Sequence, residues 1–155
     1  MTKMGKKRTS PKKKLPKQSK KKISTIKRKA WEVFSKHVRY RDCMEATGSM
    51  WYGECFSCGE SKEFYQLDAG HFVPKHNNNL FSERGVHAQC RRCNRRLSGN
   101  QLAYRRHLVE LYGEEETTRL EFENRISRKF TVEELEGVHK YYLQKVKGWE
   151  NNASS

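Results

Sequence analysis

Cys55-Phe-Ser-Cys58 and, further along, Cys90-Arg-Arg-Cys93 are the stretches that decide how this chain folds. Two cysteines separated by two residues can turn both thiolates inward on a tight knuckle. Two such pairs supply the four soft ligands of a tetrahedral zinc site. Gly59, directly after the first pair, permits the sharp reversal that a knuckle needs. The chain holds 5 cysteines, and an odd count in a chain without a secretory signal argues against a disulfide framework. A redox pair would not require a second copy. Cys43, the odd one, reads as a lone buried or half-buried thiol.

The two pairs enclose the 31 residues from Gly59 to Gln89, more than a simple zinc ribbon places there. Phe64, Tyr65 and Leu67 suggest a short strand, Phe72 and Val73 its continuation, and Val86 to Gln89 a second strand running into Cys90. The run Asn94 to Gly99 fits a short helix stopped by glycine. The expected unit is a hairpin followed by a helix, with zinc fastening the ends. In a chain of which 34% is apolar, such a site supplies folding free energy directly, on the order of 10 kcal/mol by comparison with zinc-finger peptides.

The net charge of +15 is concentrated, because residues 1–29 hold 14 Lys and Arg and no acidic residue. Lys12, Lys13, Lys14, Lys20, Lys21 and Lys22 stand in a stretch with almost nothing apolar to bury, so residues 1–23 are expected to be a disordered basic arm. A flexible polycation suits a polyanion, gaining affinity without sequence preference from released counterions; a solubility tail, a membrane tether and an import signal are the bland alternatives. A second basic block, with Arg91, Arg92, Arg95, Arg96, Arg105 and Arg106, falls inside the folded part. It reads as a phosphate-gripping face or, failing that, as an ordinary solvated one. No apolar run approaches the ~18 residues of a membrane span, and a soluble protein of a reducing cytosol is expected.

A histidine closing one strand and Cys-x-x-Cys-Asn starting a helix resemble the HNH nucleases, whose metal-dependent site sits on a ββα unit. The resemblance narrows along Cys55-x-x-Cys58, Asp68-Ala-Gly-His71, Phe81-x-Glu83-Arg84, His87-x-Gln89-Cys90-x-x-Cys93-Asn94 and Ser98-Gly99-Asn100. In that order these motifs resemble the NinG family, also called Rap, of lambdoid phage recombination proteins. The match covers residues 55–112 well and the rest of the C-terminal half more loosely. It implies a structure-specific endonuclease of branched DNA, such as a Holliday junction or D-loop, working in the cytoplasm of a bacterial host.

By the same resemblance His71 activates the water, and Asp68 and Asn94 hold a catalytic Mg2+ or Mn2+ through hard oxygens. Histidine suits that task because it is mostly neutral yet still basic near pH 7. The sequence departs from the HNH pattern at two glycines. Gly70 stands immediately before the base, where many such sites carry an acidic residue or histidine, and Gly85 stands where an asparagine normally braces the site. His87, two residues on and on the same strand face, is the candidate replacement, as brace or as metal ligand. Arg84 is the candidate transition-state clamp. Plainer roles compete: His71 or His87 as a ligand of the structural zinc, Asp68 pinning a turn, Asn94 capping a helix.

Around this core, Ser24 opens a helix through about Arg41, with Ile26, Ala30, Val33, Phe34 and Val38 at helical spacing and Trp31 and Tyr40 as packing residues and, secondarily, base-stacking platforms. Asn100 can cap a helix with Leu102, Leu108 and Leu111 inside, ending at Gly113. A weaker helix spans Glu114 to Ile126, and the capping box Thr131-Val-Glu-Glu134 starts another that fades after Gly148. The expected class is α+β: a zinc-stapled ββα core of the HNH or treble-clef kind in residues 55–100, flanked by helices, with 101–149 the C-terminal helices of a single domain, 24–150. These C-terminal helices are slightly acidic and are read as a brace or a homodimer face. The competing function is a non-catalytic zinc-knuckle module that binds DNA or RNA.

Overall fold

A computed structural model describes residues 17–154. The segment 1–16, with Lys12, Lys13 and Lys14, lies outside the described residues. Helix α1 runs Lys17–Thr47, and strands β1 (Tyr52–Glu54) and β2 (Ser61–Glu63) form a hairpin beside it. A 3-10 turn, Phe64–Gln66, leads into β3 (Leu67–His71), which pairs antiparallel with β4 (Val86–Cys90). A π-helical turn at Arg92–Arg96 follows, then α2 (Gln101–Tyr112), α3 (Glu114–Glu121), a 3-10 turn (Glu123–Arg125) and α4 (Val132–Ala153). This is an α+β chain with two small antiparallel sheets. None of the described helices is long and apolar enough to cross a membrane.

The register of the main hairpin sets Gly70 opposite His87 and His71 opposite Val86, so Cys90 lies across from Leu67 at the far end. Every residue of β4 is buried. A strand buried on both faces has to be covered from both sides. One cover is α1, where Phe34 and Val38 join Val86 and Tyr142 of α4 in a core whose Phe34 and Tyr142 rings meet edge to face at 4.8 Å. The other is α2 and α3, through Tyr104, Leu108 and Leu120 packed with Phe72. Helices α1 and α4 are further tied by Trp149 Nε1 donating to His37 Nδ1 at 3.1 Å.

Several local expectations are corrected. Helix α1 starts at Lys17, so residues 17–23, including Lys20, Lys21 and Lys22, are helical with those three side chains exposed. The apolar period begins at Ile23, but a straight-chain Lys run loses little rotamer freedom in a helix and extends one already anchored downstream. The helix also runs past Arg41 to Thr47. Phe64 and Tyr65 form a 3-10 turn instead of a strand, closed by Glu63 N donating to Gln66 Oε1 at 3.2 Å. In α2, Leu102 is 81% and Leu111 53% exposed, and Tyr104 and Leu108 form the inner stripe. Asn100 has φ 45° and makes no side-chain cap; its amide turns to Cys93. The capping box at Thr131 forms as expected, and α4 continues beyond Gly148 to Ala153.

Candidate active site and metal centre

The four knuckle cysteines converge. Cys55 and Cys58 come from the turn after β1, Cys90 from the end of β4 and Cys93 from the π-helical turn, with all four sulfurs within 4.8 Å of one another. Tetrahedral zinc with Zn–S bonds of 2.3 Å requires sulfurs about 3.8 Å apart, and Cys58 Sγ and Cys90 Sγ are 3.9 Å apart. Two outer donors aim at the sulfurs: the Cys93 amide at Cys90 Sγ, 3.5 Å, and Asn100 Nδ2 at Cys93 Sγ, 3.4 Å. Such donors stabilise thiolate charge and orient the ligands. The four cysteines can therefore hold a metal ion such as zinc. Neither His71 nor His87 joins them. Cys43 is apart from the cluster and fully buried, and that burial pushes its thiol up to about 11.

Across β3 from the cysteines lies an open pocket of about 530 Å³, within the range of small-ligand clefts. His71, Asp68 and Asn94 all line it, so three of the sequence candidates do come together. His71 stacks on Trp31 of α1, ring centroids 5.2 Å apart and planes 20° from parallel. Its Nε2 lies 3.3 Å from the Leu80 carbonyl. A carbonyl only accepts, so Nε2 carries the hydrogen and Nδ1 keeps its lone pair. Burial pushes the imidazole pKa down to about 4, with Lys75 adding to the effect and the Leu80 carbonyl opposing it. His71 is thus neutral near pH 7.

The loop that presents Leu80 is organised by Asn79, which is 1% exposed. Its side chain accepts from the His76 amide at 2.6 Å and donates to the Pro74 carbonyl at 3.1 Å. Tyr104 of α2 donates its hydroxyl to the Gly70 carbonyl at 2.9 Å, fixing β3 one residue before His71. Gln89 is fully buried, its amide donating to Ser57 Oγ and the Gly99 carbonyl at 2.7 Å each. Sequence reading missed all three positioning residues. The polar run His76 to Asn79 was a signal of a built loop, but nothing local marks Tyr104.

Asp68 is differently engaged from what a metal ligand requires. Its Oδ2 accepts from Arg95 Nε at 2.8 Å and Asn94 Nδ2 at 3.0 Å, and its Oδ1 from Arg95 Nη2 at 2.8 Å. The guanidinium fork occupies the face of the carboxylate that a cation would take. Arg95 is 62% exposed at the side chain, so solvent screens its half of this pair. Asn94 turns its Nδ2 to Asp68, which leaves Oδ1 as its acceptor toward a cation.

Two candidates do not reach the pocket. His87 is 2% exposed and faces the opposite side, with Nδ1 3.2 Å from Asp42 Oδ2 and its ring stacked on Phe56 at 4.0 Å. Residues two apart on β4 do share a face, but here that face turns to Asp42, so His87 neither braces the site nor can bind its ion. Arg84 points outward to Glu116 at 3.3 Å and over the Tyr112 ring, since it lies in the turn before β4 and α3 offers it a carboxylate. Gly85 has no room for an asparagine: a β-carbon there would meet Ser82 Oγ at 2.8 Å and Glu123 Oε2 at 3.1 Å. Of the basic cluster, Arg95 lines the pocket, whereas Arg91, Arg92 and Arg96 surround a separate hollow beside Cys90.

No solved structure matches this chain. Among curated proteins, it is 35% identical to Protein ninG of Escherichia phage lambda over 105 residues, 64% of this chain and 49% of that protein. It is 36% identical to Protein ninG of Escherichia phage 933W over 64% of this chain and 50% of that protein, and 34% identical to the Salmonella phage P22 protein over 64% and 49%. The chain thus spans about half the length of these relatives. The family described as Bacteriophage Lambda NinG protein matches residues 2–152, nearly the whole chain. The arrangement of knuckles, hairpin and flanking helices therefore belongs to a member of the NinG family.

Proposed function

We propose that this chain is a zinc-stapled endonuclease that hydrolyses phosphodiesters in branched DNA with the help of Mg2+ or Mn2+. The observation that carries the reading is His71: a neutral imidazole with its lone pair on Nδ1, held by the Leu80 carbonyl and Trp31, at an open pocket shared with Asp68, Asn94 and Arg95. A hairpin followed by a helical turn, with histidine at the end of the first strand and asparagine at the start of the turn, is also what the resemblance to HNH nucleases implies. The four cysteines hold zinc and fix the far end of the hairpin.

In this reading His71 Nδ1 takes a proton from the attacking water. Asn94 and, once Arg95 swings away, Asp68 would hold the divalent ion, which would supply positive charge for the phosphorane and the departing oxygen. Arg95, freed from Asp68, is then available to the phosphate. The exposed Lys20, Lys21 and Lys22 extend the basic surface along α1. The exclusive pairing of Asp68 with Arg95 and Asn94 favours a second reading, a non-catalytic zinc-knuckle protein that binds DNA or RNA.

A synthetic four-way junction separates the two. Scission that requires added Mg2+ or Mn2+, and is lost in His71→Ala with binding nearly intact, supports the nuclease. Unchanged cleavage in that variant rejects His71 as the base, and binding without scission under any divalent ion supports the second reading.

A further inference from the structure

Arg39 of α1 lines the same pocket as His71, Asp68 and Asn94, and no motif singled it out. It stands one and two turns beyond Ser35 and Trp31, so these three side chains form one wall of the pocket. Its guanidinium lies over the Phe64 ring, 4.4 Å from the centroid, and its Nε donates to the Ser35 carbonyl at 3.2 Å. One face and the inner edge are therefore spoken for. The two terminal nitrogens have no acceptor among the described residues, and the guanidinium makes no ion pair there.

That isolation sets Arg39 apart from the other cations around it. Arg95 is forked onto Asp68, Arg84 Nη1 lies 3.3 Å from Glu116, and Arg41 Nε donates to Asp42 at 2.7 Å. Lys75 lies over Trp31. Burial lowers the Arg39 pKa while Asp68 works against it, as expected for a guanidinium desolvated without a carboxylate of its own. A half-buried unpaired cation costs stability, and this one is held by a ring and a carbonyl at the wall of the cavity. Two parallel N–H groups on a planar edge match two oxygens of a phosphate.

We propose that Arg39 is the phosphate clamp of this pocket, its terminal nitrogens holding the non-bridging oxygens of the phosphodiester that His71 faces. This rests on the nuclease reading and assigns to α1 the role for which Arg84 was the candidate. Aromatic support of one face pre-organises the fork, so little freedom is lost when phosphate arrives.

The test compares full-length wild type, Arg39→Gln, Arg39→Lys and Arg84→Gln on a synthetic four-way junction in Mn2+. Single-turnover rate and binding are measured separately, with zinc content and thermal melting as controls of folding. Arg39→Gln is expected to lower the single-turnover rate on the order of 100-fold, the scale seen when one donor to a developing charge is removed. Arg39→Lys, a point charge without the fork, should lose about 10-fold, and Arg84→Gln should match wild type. If Arg39→Gln cleaves like wild type while His71→Ala is inactive, the clamp is overturned and the nuclease reading survives. If Arg39→Gln does not fold, a folded Arg39→Lys at the wild-type rate overturns the clamp equally. If the wild type itself makes no cut, the nuclease reading falls and the clamp falls with it.

Discussion

The side-chain oxygen of Gln89 lies 1.9 Å from the place a β-carbon on Gly70 would take. Glycine before His71 is therefore a packing requirement, and the departure from an acidic residue there has a steric cause. The same missing β-carbon would meet Asn94 Oδ1 at 2.9 Å. Gln89 cannot swing aside freely, because its amide is pinned to Ser57 and Gly99. Its Oε1 is also the one buried side-chain polar atom without a hydrogen bond among the described residues.

Gly70→Ala should therefore displace Gln89 or Asn94 and destabilise the chain by about 1–3 kcal/mol, the range for overpacking a close-packed core. Denaturant unfolding checks this. A double variant, Gly70→Ala with Gln89→Ala, should recover part of the loss at the glycine, because the clash disappears. If the single variant unfolds at the wild-type midpoint, the close approach has no energetic weight.

Acidification should weaken the fold through His71. Its folded pKa of about 4 lies below the ordinary 6.5, so the unfolded chain binds more protons between those values. The contribution is fully present above about 6.5 and is lost as pH falls toward about 4. Thermal melts from pH 7 to 4 should show a decline that is shallower in His71→Phe, which keeps a ring against Trp31 and cannot titrate. Equal slopes for the two proteins would show that His71 does not set the loss.

Removing the metal at the cysteines should open the middle of the chain first. The cluster fastens the end of β4 to the knuckle after β1, so a chelator should accelerate amide exchange in β4 and in the Gly99 region well before α1 and α4 separate. Cys93→Ala should do the same without chelator and leave the protein short of one zinc per chain by elemental analysis. Exchange in β4 that ignores both treatments would sever the link between the sulfurs and the hairpin.

Asp68 should bind a divalent cation better once its guanidinium partner is gone. Arg95→Gln removes both Arg95 bonds and leaves the carboxylate with Asn94 alone. Titration of Mn2+ followed by electron paramagnetic resonance should show affinity several-fold tighter than in the wild type, with the gain cancelled in Arg95→Gln/Asp68→Asn. An unaltered Mn2+ affinity would mean that Asp68 is a structural anion for Arg95 and nothing more.

The knuckles, β4 and the Thr131 cap were legible in the sequence because each is decided within a few residues by spacing, burial pattern or a reciprocal hydrogen bond. The inner face of α2 was not. Leu102, Leu108 and Leu111 fit a helical stripe as well as Tyr104 and Leu108 do, and only the position of Phe72 and Leu120 decides between them. His71, Asp68 and Asn94 were found because the motifs place them on β3 and the adjoining turn. Arg39 and Trp31 escaped because they reach the pocket from a helix that begins far upstream, and His87 misled because alternation along a strand gives the face and not what lies beneath it.

Helix α1 is one unbroken rod of 31 residues that carries the chain's lysine run at its start and Arg39 beside the His71 pocket. From Lys20 to Arg39 the axis rises roughly 29 Å at 1.5 Å per residue, about eight base pairs of duplex at 3.4 Å each. Any nucleic acid grasped at those lysines and reacted at the pocket would be gauged by that rod, with about eight base pairs of DNA between the place of capture and the place of attack.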